Sequence, residues 1–302
     1  MHPWETADSL NESSEQTLAY PSEVRQAADD DVFGAHSASE RLANIESLLA
    51  DPNTSSEEVL SREAEKLATA INADIEGRKL VVERFIQTVG TEEGTVLAAA
   101  LGGADDPDVE SEVVRLAEEV GTPTQRIAAL EILGQSASQS PTTRAALLGI
   151  LDPEIQGDEQ VTAAALLAFG RRGVTSISEQ ENVIGTIKPF VQSGNPRVRE
   201  HSLRVLAEWS PHDELLLQAL TAATQDPDTA VRSSAIRLLG NNGFRFDDVR
   251  NAIITRLQDP QEEHQVRMTA WQVLESFPLD DQAYALYGEF KNTYSSAVPM
   301  TN

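Results

Sequence analysis

The sequence predicts an all-α chain: a solenoid, or α-α superhelix, of about seven stacked helix pairs. Three observations predict it. The segment Asp226 to Gly240 returns in weaker copies across the C-terminal two thirds. Within each copy the apolar residues fall at i, i+4, i+7 and i+8, which is one stripe of an α-helix. The copies at Val161, Val198, Val231 and Val266 stand 37, 33 and 35 residues apart, a period of helix-pair arrays.

Taken in order, residues 1–36 are polar, acidic and aperiodic, with Asp29-Asp30-Asp31 near their end. Such composition predicts a mobile tail. Trp4, Tyr20 and Phe33 interrupt it; they are expected to pack loosely on the first helix pair, the alternative being a short motif that docks elsewhere. Residues 37–103 read as degenerate helical repeats, with helices at 38–50, 56–73, 77–89 and 92–103. Ala104 to Asp108 mark the change to regular repeats, which run over 104–277 and begin with a helix at 108–119.

The regular copies align on one position. Val198-Arg199 leads to Ser202, Val205 and Leu206; Val231-Arg232 to Ala235, Leu238, Leu239 and Gly240; Val266-Arg267 to Ala270, Val273 and Leu274. Looser copies start at Val161-Thr162 and Gln125-Arg126. Thr122-Pro123, Asn195-Pro196, Asp226-Pro227 and Asp259-Pro260 each set a capping side chain before a proline suited to the first helical position. Gly134, Gly170 and Gly240 stand where helices would end, where φ > 0 is tolerated. Partner helices fall near 141–151, 178–193, 212–225 and 246–258. A last helix near 281–294 carries Tyr284, Tyr287, Phe290 and Tyr294 and caps the final pair within a terminal segment 278–302, whose end from Ser295 is expected to fray.

These residues resemble the HEAT repeat family. The best match is 226–240, where Asp226 stands six positions before Arg232. The resemblance covers about 104–277 well and 38–103 weakly. It implies antiparallel helix pairs in a curved right-handed solenoid, with the second helix of each pair on the concave side. Thr162 in place of Arg, and Ser193 in place of Asp226, depart from the pattern, so an Arg/Asp ladder is expected to be incomplete. Its members would be Arg199, Asp226, Arg232, Asp259 and Arg267, with each Arg bridging to the Asp of its own or the next repeat.

Charge bounds the partner. The net charge is −26, and residues 1–125 hold 27 acids against 8 bases. Such a surface repels nucleic acid and anionic lipid and attracts a basic protein or peptide. A saline or GC-rich source explains the same composition. No window is apolar enough for membrane insertion, and the N-terminus lacks the pattern of a signal peptide, although a leader removed earlier would leave no trace. A soluble, cytoplasmic protein is expected. The chain has no cysteine, so thiolate chemistry is absent.

No catalytic constellation emerges. There is no phosphate loop after Gly102-Gly103, no serine elbow, and no carboxylate in a setting that singles it out. Glu200-His201 and Glu263-His264 reverse the order of the His-Glu dipeptides in HEAT-repeat deoxyhypusine hydroxylases. Neighbours on a helix diverge by about 100°, so two surface histidines are expected, with no metal and no cofactor. Trp209 and Trp271 are expected in packing rather than as the base-reading aromatics of HEAT-like alkylpurine glycosylases. The expected function is a non-catalytic scaffold that binds a protein or peptide on its concave face through Glu200, Arg204, Ser233, Arg237, Thr269 and Gln272. The alternatives are a HEAT-like small-molecule or chromophore enzyme, similar to the phycobilin lyases, and a nucleic-acid-binding HEAT-like protein.

Overall fold

The computed structural model describes residues 37–51, 56–135, 140–152, 157–169 and 176–297, without the side chains of 119, 120 and 292–297. The readings on the 1–36 tail, with Trp4, Tyr20 and Phe33, on Gly170, on the Tyr294 side chain and on 298–302 lie outside them. The described residues form fifteen α-helices and no strand. They are α1 (Ala38–Ala50), α2 (Glu57–Ala73), α3 (Ile75–Thr88), α4 (Glu92–Gly103), α5 (Pro107–Arg115), α6 (Pro123–Gln135), α7 (Pro141–Ile150) and α8 (Glu159–Ala168). There follow α9 (Ile177–Ile187), α10 (Pro196–Trp209), α11 (Glu214–Ala223), α12 (Thr229–Asn241), α13 (Asp247–Gln258), α14 (His264–Leu274) and α15 (Asp281–Ala297). A π turn (Leu116–Val120) extends α5 and a 3-10 turn (Lys188–Gln192) extends α9. Helix α15 stays helical three residues past the point where fraying was expected to begin.

Short polar side chains start most of these helices. Ser37 forms a reciprocal capping box with Glu40, and Thr122 does the same with Gln125. Asn195 accepts from the Arg197 N–H ahead of Pro196. Two expected caps move. Asp228, not Asp226, caps α12, accepting from Ala230 and Val231. Helix α14 starts only at His264, so Asp259 turns to the Gln261 N–H instead. In both places the Asp-Pro pair shapes the turn before the helix, and the helix starts later.

The helices pair as α1–α2 through α13–α14, seven pairs, and α15 packs on α14. Each even helix from α2 to α14 also packs on the next even helix, in one unbroken row. The odd helices pack on one another closely only from α1 to α7. A row with closer neighbours is the inside of a bend, so the even helices form the inner row. One hydrophobic core runs from Ala38 to Phe277, each pair burying its stripe against the next. Across the Ala104–Asp108 junction Arg78 of α3 binds Asp106 at 2.5 Å and Asp108 at 2.7 Å.

The repeat glycines have a different purpose from the one expected. Gly134 and Gly240 lie inside α6 and α12, and among the described residues the glycines with positive φ are Gly90 and Gly243. A Cβ on Gly240 would stand 2.8 Å from Val273 Cγ1 of α14, and one on Gly134 would stand 3.1 Å from Ala168 Cα of α8. These glycines let successive inner helices approach closely.

Candidate functional site

The inner row is built from one register. Counting from the ladder position (Arg126, Thr162, Arg199, Arg232, Arg267), residues one and eight positions on lie about 20° apart around the helix. In α12 these are Ser233 and Gly240, and Gly240 faces α14. Residues two and six positions on face the preceding inner helix. His201 Nδ1 of α10 meets the Ala163 carbonyl of α8 at 2.8 Å, and Val273 of α14 meets Gly240. Between these flanks one narrow stripe remains open. It holds the fifth position, Glu131, Leu167, Arg204, Arg237 and Gln272, and the ninth, Gln135, Glu208, Asn241 and Ser276, all exposed.

The six expected binding residues divide on this geometry. Arg204, Arg237 and Gln272 stand on the exposed crest. Ser233 does not: it is 5 % exposed, because its position faces the next inner helix. Glu200 is half-buried. Thr269 is half-buried too, and its hydroxyl donates to the Gln265 carbonyl one turn back. The α-helical stripe alone treats everything opposite the core as open. A solenoid helix has lateral neighbours on both sides, so the open stripe is narrower. Glu131 and Leu167 were missed, although counting five on from Arg126 and Thr162 finds them.

The ladder arginines stand on the helix flank and bind loops. Arg199 grips Asp226 with Nε at 2.8 Å and Nη2 at 2.7 Å, and donates to the Ser193 and Gly194 carbonyls. Arg232 donates to the Asp226 and Pro227 carbonyls. Its carboxylate partner is Glu262, not Asp259. Asp259 is turned to Gln261, and the longer loop before α14 brings Glu262 into reach. Among the described residues Arg267 meets no carboxylate: its Nε donates to the Leu257 carbonyl and its guanidinium lies 5.0 Å from the Phe290 ring centre. Arg126 behaves similarly, donating to Ala117. Burial pushes the Asp226 and Glu262 carboxyls up, yet the bonds from Arg199 and Arg232, backbone N–H groups and nearby guanidinium charge outweigh it and hold both below the ordinary range.

The histidines are not alike. His264 is exposed, whereas His201 is half-buried between α10 and α8 rather than on the surface. Burial pushes its imidazole below the ordinary value, with Arg204 and Arg197 adding to that; the bond to Ala163 and the Glu200 charge oppose it. Among the described residues no group of three or more His, Cys, Asp or Glu is arranged to hold a metal. Trp209 is fully buried, 5.3 Å from the Phe169 ring. Trp271 stacks on Tyr287 at 5.6 Å and tilts against Phe290, joining α14 to α15. Among the described residues no helix is long and apolar enough to cross a membrane.

Residues 214–291, from α11 into α15, match the family of HEAT repeats. No curated protein matches the chain. Among solved structures, the chain is similar to an archaeal HEAT-like repeats protein from Thermococcus onnurineus NA1, at 17% identity and a TM-score of 0.42, over 73% of this chain and 90% of that one. Residues 214–291 are thus similar to HEAT repeats, and the described residues form an α-solenoid of stacked helix pairs.

Proposed function

We propose that this chain is a non-catalytic scaffold that holds an extended protein segment along its inner helix row. One observation carries the reading. The fifth position after the ladder residue is open to solvent in five consecutive inner helices, α6 to α14, while its lateral neighbours pack. A row of side chains repeated at each helix step grips a long ligand without a single hot spot. The acidity of residues 1–125 favours a partner that is basic where it meets that part of the array.

The chain has no native cysteine, so a single introduced one is a unique attachment point. A photo-crosslinker placed at Leu167→Cys or Gln272→Cys should capture one and the same protein from a cell extract. Crosslinkers at Glu181→Cys and Gln218→Cys, exposed on or beside the outer row, should not. Equal capture from both rows, or none from the inner row, sinks the reading.

A further inference from the structure

Nearly every described arginine is engaged. Arg78, Arg144, Arg199 and Arg232 bind carboxylates of a following repeat; Arg126 and Arg267 bind backbone carbonyls. Arg204 and Arg237 differ. They occupy the same repeat position on consecutive inner helices, α10 and α12, both exposed. Among the described residues neither has a hydrogen-bond or ion-pair partner. Glu200 and Glu208 stand one turn to either side of Arg204 on α10, yet neither pairs with it; Arg237 is flanked by Ser233 and Asn241, which carry no charge. Arg197, also exposed and unpaired, lies two turns before Arg204. One helix earlier in the row, the same position holds Leu167, 45% exposed. In a chain of net charge −26, the fifth position of α8, α10 and α12 therefore reads apolar, cationic, cationic, with Glu208 one turn beyond Arg204.

Packed helices stand about 8–10 Å apart, and an extended chain in the polyproline II conformation advances about 3.1 Å per residue with three residues per turn, so every third side chain faces the same way. One helix step therefore matches about three residues of ligand. We propose that this stretch of the inner row recognises an extended acidic segment, in which one apolar residue meets Leu167 and carboxylates about three and six residues further on meet Arg204 and Arg237. The proposal rests on the scaffold reading and adds the chemistry of the bound segment. Each guanidinium offers a two-pronged donor to a carboxylate, and a basic segment would bring like charges against both.

The test uses the full chain and two labelled twelve-residue peptides on a serine and asparagine background. One carries leucine followed by aspartate at the third and sixth positions beyond it; the other has lysine in place of both aspartates. Fluorescence anisotropy should show the aspartate peptide binding at least about tenfold tighter. Arg204→Glu and Arg237→Glu should each weaken it about tenfold, and the double reversal should invert the preference. Both sites are exposed, so thermal melts of the variants should match the parent. Preference for the lysine peptide, indifference to both reversals, or binding of neither peptide overturns the proposal. If crosslinks from Leu167→Cys still capture a partner in that case, the scaffold reading survives and the acidic preference alone is lost.

Discussion

Arg232 and Glu262 close a bidentate pair across one repeat step, with Nη2 2.5 Å from Oε1 and Nε 3.0 Å from Oε2. The Glu262 side chain is 2% exposed. The same guanidinium also binds the Asp226 and Pro227 carbonyls, so one side chain ties the loop before α12 to the loop before α14. That geometry ties the register of one repeat to the next.

Arg232→Ala should therefore destabilise the chain by about 1–3 kcal/mol, because Glu262 stays buried with Arg256 as its remaining cation, at 3.3 Å. Arg232→Lys should recover part of the loss, since an ammonium replaces the charge but not the fork. Urea denaturation of the three proteins measures this. An unchanged midpoint for Arg232→Ala would contradict the register role.

Acid should act through the same pairs. Asp226 and Glu262 have folded pKa values held below their unfolded ones, so they add stability above about pH 4 that is lost as pH falls through the folded values. Protonation also relieves repulsion in a chain of charge −26, which works in the opposite direction. The difference between parent and Arg232→Ala removes that shared background. Their urea midpoints should converge between pH 5 and the acid limit; parallel curves would show that Glu262 is not held down in the fold.

How far the sequence reached depends on how local each feature is. The caps Thr122 and Asn195 need only neighbours in sequence, and helix positions followed from them and from the apolar period. Asp226 and Asp228 both suit a cap, and only the observed start of α12 separates them. The partner of Arg232 depends on the length of the 259–263 loop. Ser233 and Gly240 owe their surroundings to the next inner helix, which the helical period of their own segment does not contain. The exposed crest was half legible: Arg204, Arg237 and Gln272 came from the helical stripe, whereas Leu167 was hidden because an apolar residue reads as core.

His201 predicts a second pH window. Its folded pKa is depressed, so the folded chain binds fewer protons than the unfolded chain between the two values, and stability rises with pH there. Stability should fall as pH drops below about 6.5 and level off below the folded value. His201→Gln removes the titration and should flatten the slope between pH 7 and 5. An equal slope in both proteins would show that the imidazole is not held neutral against Ala163.

The last prediction concerns the inner seam between α12 and α14. A Cβ at position 240 would meet both γ-carbons of Val273, at 2.8 and 3.2 Å. Valine is stiff at χ1 and has little room to turn away. Ala in a helix interior gains up to about 1 kcal/mol over Gly, whereas overpacking costs about 1–3 kcal/mol. Gly240→Ala should therefore destabilise, and Val273→Ala should leave a small void and destabilise as well. Together they should cost less than the sum of the two, with a coupling of about 1 kcal/mol or more between sites in direct contact. Additive losses in a double-mutant cycle would mean that the two helices do not approach as closely as Gly240 permits.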